Sequence, residues 1–118
     1  MTVPGRRAVR LADQIHAEVA EMVSAELKDP RVGFATVTGV DLSVDLHHAK
    51  VFVSVLGSAE EQQKSLEGLS SAAGYLRHEL AQRLTLRRVP ELIFVLDRGE
   101  EENARLETLL RKLKEQEE

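Results

Sequence analysis

Ser70-Ser71-Ala72-Ala73-Gly74-Tyr75-Leu76-Arg77 is the stretch on which the fold turns. Leu66 and Leu69 precede it, and Leu76, Leu80 and Leu84 follow it at helical spacing. Yet the stretch holds the poorest helix formers of that pattern. A glycine inside a helix costs about 1 kcal/mol relative to alanine, and serine favours caps and turns. The sequence therefore predicts two helices, over residues 59–69 and 73–84, joined by a tight kink. Arg77, Arg83, Arg87 and Arg88 lie beyond it. A fresh helix start with exposed amides, followed by arginines, can hold a phosphate. Close approach of two packed helices at Gly74 accounts for the same residues without a ligand.

Working back towards the N-terminus, Gly57-Ser58 breaks the preceding segment, and Ser58 with Glu61 fits a capping box. Ala49, Val51, Val53 and Val55 alternate with Lys50, Phe52, Ser54 and Leu56, the period of a strand with two different faces. Val40, Leu42 and Val44 alternate likewise with Asp41, Ser43 and Asp45. Val37 is out of phase with Val40 and Gly39 lies between them, which predicts a bulge. Residues 34–56 thus read as a hairpin turning at residues 45–48. Upstream, Ala8, Leu11, Ala12, Ile15, Val19 and Met22 form one apolar stripe of a helix over residues 6–28, ended by Asp29-Pro30.

Towards the C-terminus, Pro90 cannot donate to a ladder, so a strand begins after it, in the apolar run Leu92-Ile93-Phe94-Val95-Leu96. Leu106, Leu109, Leu110 and Leu113 give one side of an amphipathic tail helix over about residues 100–114, with residues 115–118 frayed. The expectation is α+β: one domain over residues 1–118, with a core of about residues 6–98.

Composition narrows the function. The 118 residues contain no cysteine, which excludes a disulfide framework and a thiolate metal site and suits a reducing cytoplasm. No apolar run follows the N-terminal arginines as in a secretory signal, and none is long enough to span a membrane. Phe34, Phe52, Tyr75 and Phe94 are too few for an exposed stacking platform. The net charge is −4, but it is unevenly spread. Residues 99–118 carry seven acids and four bases, whereas residues 69–90 carry four arginines and one glutamate. Local patches govern phosphate binding more than net charge does.

No catalytic constellation or phosphate-binding glycine loop is present. His47 and His48 would point to opposite faces of an extended segment, and His16 and His78 lie on separate helices, so no metal site is expected. Glu100-Glu101-Glu102 fits a favourable charge cluster at a helix start. No cofactor and no small-molecule substrate are expected.

Several stretches together resemble the bacterial ribosome-binding factor A family. They are Arg10-Leu11-Ala12-Asp13-Gln14-Ile15, Leu27-Lys28-Asp29-Pro30-Arg31-Val32-Gly33 and the run from Leu42 to Ser54. Ala72-Ala73-Gly74-Tyr75-Leu76-Arg77 and Leu86-Arg87-Arg88-Val89-Pro90-Glu91-Leu92 complete the series. The likeness extends over about residues 6–113. It implies a KH-like domain of type II topology, α-β-β-α-kink-α-β, with a C-terminal tail helix. Ordinary KH domains clamp four nucleotides at a GXXG loop. Here Ala72-Ala73-Gly74 stands in that place, so the usual clamp is missing.

The resemblance further implies a monomer that binds the small ribosomal subunit where head meets body. There it would act in late rRNA maturation and in growth at low temperature. The expected rRNA contacts are Arg6, Arg7, Arg10, Lys50, Ala72, Ala73, Gly74, Arg77, Arg83, Arg87 and Arg88. Other roles are open for several of them. Ala72 and Ala73 fit helix packing, Arg83 could pair with an acid, and Arg87 and Arg88 alternate sides if extended. Cations at residues 6–10 oppose the helix dipole, which a phosphate partner would relieve. A protein-interaction module, using the open sheet face with Phe52 and Leu56 or the acidic tail helix, is the alternative. Its apolar binding would resist salt, whereas phosphate binding would not.

Overall fold

A computed structural model describes residues 6–27, 29–97 and 111–113. The chain runs α1 (Arg6–Glu21), a π-helical turn (Met22–Glu26), β1 (Ala35–Leu42), β2 (His48–Val55), α2 (Ala59–Leu84) and β3 (Glu91–Leu96). β1 and β2 form the expected antiparallel hairpin, and β3 adds to β2 in parallel, giving the order β1-β2-β3. α1 packs mainly on β1, and α2 on β3. Helices on one side of a small sheet give the α+β arrangement read from the sequence.

The core follows the periodicities. Ala49, Val51, Val53 and Val55 are all buried, facing Ile15, Val19 and Met22 of the first helical segment and Leu69, Leu76 and Leu80 of α2. The β1–β2 register slips between Val37 and Gly39. Val37 then opposes Val53, and Val40 opposes Val51. The bulge thus brings two valines three residues apart onto one face, as their phase required. The capping box also forms: Ser58 Oγ accepts from the Glu61 amide at 3.2 Å, and the Ser58 amide donates to Glu61 Oε1 at 3.3 Å.

Three expectations change. First, α2 is one uninterrupted 26-residue helix, not two helices joined by a kink. Ser65, Leu69, Leu76 and Leu80 are buried and Ala72 and Ala73 half-buried, so a single apolar stripe continues through Gly74. Fully burying one leucine is worth roughly 1.5–3 kcal/mol, which outweighs the glycine's propensity penalty. Second, α1 ends at Glu21, and the wider turn that follows closes with the Leu27 amide on the Met22 carbonyl at 3.0 Å. This turn keeps the adjacent Met22 and Val23 both buried, which one narrow helical stripe does not. Third, β1 stops at Leu42, and Val44 is 92% exposed in the turn instead of on the strand. Of the expected tail helix, residues 111–113 are helical. Its remainder, including Glu100-Glu101-Glu102, lies outside the described residues.

The loop before β1 is tied to α2. Ser65 Oγ donates to the Arg31 carbonyl at 3.3 Å and accepts from the Gly33 amide at 3.2 Å. A Cβ on Gly68 would lie 2.7 Å from Val32 Cγ2, so glycine lets this loop sit against the helix without displacing the valine. Gly74 has nothing within 4 Å of such a Cβ. No packed helix approaches Gly74 among the described residues; the close approach on α2 is at Gly68, and it is made by the loop.

Candidate nucleic-acid interface

The start of α1 and two connections meet at one end of the sheet around an open hollow of about 730 Å³. The first turns of α1 contribute Arg7, Arg10, Leu11 and Gln14. The β1–β2 turn contributes Asp45, Leu46 and His47. The chain between α2 and β3 supplies Thr85, Leu86, Arg87, Arg88 and Pro90. Arginines far apart in sequence therefore share one site. Arg6 lies one residue before this wall, exposed at the start of α1.

Electrostatics favour an anion here. Among the described residues, Arg7, Arg10 and Arg87 make no side-chain hydrogen bond or ion pair, and α1 has no acid in its first turn. Among the described residues Asp45 is the only carboxylate in the lining, and it is held within its own turn. Its Oδ1 accepts from Ser43 Oγ at 2.6 Å and from the His47 amide at 3.0 Å. The Ser43 bond, then the His47 amide and the nearby histidines, lower its pKa and keep it ionised. Arg88 donates from Nη1 to His47 Nε2 at 2.7 Å, which fixes the guanidinium at the rim.

Backbone strain gathers at the same place. Leu46 (φ 62°) and Thr85 (φ 50°) are the only non-glycine residues with positive φ among those described, and both line the hollow. Such a conformation costs roughly 1–3 kcal/mol for a residue with a Cβ and concentrates at ligand sites. Thr85 caps α2 in this conformation, its amide bonding to the Ala81 carbonyl. That cap turns the chain abruptly enough to bring Arg87 and Arg88 back beside α1.

The other expected contacts fall elsewhere. Ala73, Gly74 and Arg77 line a second, shallower hollow of about 380 Å³ with Ser70, against Glu91–Phe94 of the edge strand β3. Ala72 packs half-buried against the core. Arg77 Nη2 donates to the Val89 carbonyl at 3.1 Å and so braces the segment that carries Arg87 and Arg88. Arg83 is turned inward to Glu18 at 3.2 Å and Glu79 at 3.6 Å, so it makes the pairing with an acid that was one of its two expected roles. Lys50 is exposed on the sheet face opposite the described helices α1 and α2, beside half-buried Phe52. Leu56 is 74% exposed just past β2.

Gln14, Leu46, His47 and Thr85 were not legible as site residues. His47 reads in the sequence only as a residue unsuited to a metal site, and nothing local ties residue 47 to residue 88. Among the described residues no group of three His, Cys, Asp or Glu could hold a metal ion, and no helix is long and apolar enough to cross a membrane. His16 has a structural part, with Nε2 3.2 Å from the Val37 carbonyl.

Fold and surface together define a small α+β protein with an arginine-lined hollow receptive to anions. Residues 7–110 match the family model described as ribosome-binding factor A, and the chain belongs to that family. The ribosome-binding factor A of Thermomicrobium roseum is 46% identical over 97% of this chain and 88% of its own length. The crystal structure of ribosome-binding factor A from Thermus thermophilus is 35% identical, with a TM-score of 0.70 over 78% of this chain and 97% of that one. A homology model of the Thermus thermophilus factor, fitted into a cryo-EM map of a 30S–RbfA complex, is similar at 36% identity. Its TM-score is 0.61, over 74% of this chain and 91% of that one.

Proposed function

We propose that this protein is a ribosome maturation factor that binds the free small ribosomal subunit through its rRNA. It assists the late processing and folding of that rRNA, including at low temperature, and acts in the cytoplasm as a non-catalytic monomer. Family membership and the 30S complex of the Thermus thermophilus factor support the partner. The observation that carries the reading is the convergence of Arg7, Arg10 and Arg87, without protein partners among the described residues, on one hollow with the tethered Arg88.

Folded rRNA offers shape and backbone more than readable base edges, and arginine's planar donor fork suits phosphate oxygens. A ligand shifts an RNA folding equilibrium only by binding one conformation better than another. On this reading the protein holds a rearranging segment of rRNA and leaves when the mature fold no longer fits the arginine surface.

Sedimentation tests the reading. The protein is spun with free small subunits, whole ribosomes and naked rRNA. Selective co-sedimentation with free small subunits is expected, weakening steeply as salt rises. Equal recovery with all three, or binding indifferent to salt, overturns it.

A further inference from the structure

We propose that the hollow between α1, the β1–β2 turn and the α2–β3 connection receives one unstacked nucleotide, with its phosphate on the arginines and its base in the cavity. The inference rests on the rRNA reading of this surface and adds what the surface takes hold of.

A site for backbone phosphate alone needs only cations on an open face. This one is a hollow of about 730 Å³ that also has an apolar lining, with Leu11, Leu46, Leu86 and Pro90 among its walls. Its chemistry is divided as a nucleotide's is. Arg7, Arg10, Arg87 and Arg88 supply the cationic part, and the aliphatic side chains supply a surface for a planar base. Among the described residues the one aromatic ring in the lining is the His47 imidazole, held by Arg88, so the base would lie against leucine side chains, this imidazole or a guanidinium plane, all of which pack on the face of a base.

The wall also carries a group able to read a base edge. Gln14 offers an amide donor and an acceptor and makes no hydrogen bond among the described residues. The two residues with left-handed backbone, Leu46 and Thr85, both face this space. Leu46 is the informative one. Its conformation suits glycine, asparagine or aspartate, yet the position carries an apolar side chain half-buried in the cavity wall. A base stacked in a duplex has both faces covered by its neighbours and offers none to this apolar wall. The fitting ligand is a base already out of its stack, in a loop, a bulge or a strand awaiting its final partner.

The experiment uses the full chain with isotope-labelled leucine methyl groups, titrated separately with 5′-AMP, 5′-GMP, 5′-CMP, 5′-UMP and inorganic phosphate. At least one nucleotide is expected to shift the Leu46 and Leu86 methyl resonances, which phosphate leaves in place. Leu46→Asn suits the left-handed backbone and removes the apolar wall. It should weaken nucleotide binding at least tenfold and leave phosphate binding unchanged. Gln14→Glu, on an exposed helical position, should also weaken it. Identical responses to nucleotides and phosphate overturn the proposal, as do nucleotide shifts confined to the methyl groups of Leu92 in the shallower hollow. The same sample is sedimented with free small subunits. Subunit binding without nucleotide entry defeats the cavity proposal alone, whereas loss of both defeats the rRNA reading as well.

Discussion

Arg88 and His47, separated by 41 residues in sequence, are joined by a 2.7 Å bond from Nη1 to Nε2. An arginine guanidinium can only donate, so Nε2 is the acceptor and the imidazole carries its proton on Nδ1. That nitrogen lies 3.5 Å from Asp45 Oδ2. Asp45, His47 and Arg88 therefore form a chain in which each group orients the next. His47→Ala should free Arg88 and weaken binding to free small subunits about two- to fivefold, on the order of 1 kcal/mol for one exposed bond. His47→Gln, which restores an acceptor, should recover part of this. The melting midpoint should barely move, because both side chains are exposed. Unchanged affinity in His47→Ala would show that Arg88 needs no tether.

Salt dependence should separate Arg87 from Arg83. Each phosphate neutralised adds roughly 0.9 to the slope of log affinity against log salt. Arg87→Gln is expected to lower that slope by about one while leaving stability unchanged. Arg83→Gln should do the reverse. It breaks the contact with Glu18 between α1 and α2 and the one with Glu79 within α2, and lowers stability, with the slope intact. Isothermal binding at several salt concentrations, alongside urea unfolding, reads both quantities. A lower slope for Arg83→Gln at unchanged stability would return Arg83 to the binding surface.

Asp29 makes the loop before β1 acid-sensitive. The Arg31 side chain donates to it at 2.7 Å, and this bond, followed by the Arg31 amide, lowers its pKa from 3.8 to about 2. The folded value lies below the unfolded one, so its contribution is fully present above about pH 4 and lost as pH falls through about 2. Asp29→Asn should therefore lower stability at neutral pH and flatten the decline on acidification. Urea midpoints at about pH 5 and about pH 2.5 should differ less in the variant than in the parent. An unchanged difference would mean that Asp29 does not contribute to acid sensitivity.

What the sequence disclosed follows the range of the forces involved. The Gly39 bulge, the Ser58–Glu61 capping box and the strand start after Pro90 are set by neighbours within a few residues, and all three form. The continuity of α2 was not legible, because local propensity at Ser70, Ser71 and Gly74 opposes it and burial against the sheet decides it. The arginines at residues 7, 10, 87 and 88 were recognisable as candidates. Their meeting in one hollow depends on a left-handed cap at Thr85, and threonine gives no sign of that conformation. Arg83 has the same chemistry as its neighbours but faces Glu18, a pairing across 65 residues.

The two glycines of α2 should respond oppositely to alanine. Neither has positive φ, so neither is required by backbone conformation. At Gly74 the new methyl meets nothing within 4 Å. Gly74→Ala should therefore stabilise the fold by about 0.5–1 kcal/mol through helix propensity. At Gly68 the methyl would meet Val32 Cγ2 at 2.7 Å, Arg31 Cβ at 3.2 Å and the Val32 amide nitrogen at 3.4 Å. The valine methyl can move, but the backbone is held by Ser65 through the Arg31 carbonyl and the Gly33 amide. Overpacking of this kind costs about 1–3 kcal/mol, so Gly68→Ala should be net destabilising. Urea unfolding at constant m-value measures both. Subunit binding by the more stable Gly74→Ala variant then tests the shallow hollow beside β3. Retained affinity would leave the arginine-lined hollow as the principal contact, and a loss despite higher stability would mean that the methyl occupies space the rRNA needs.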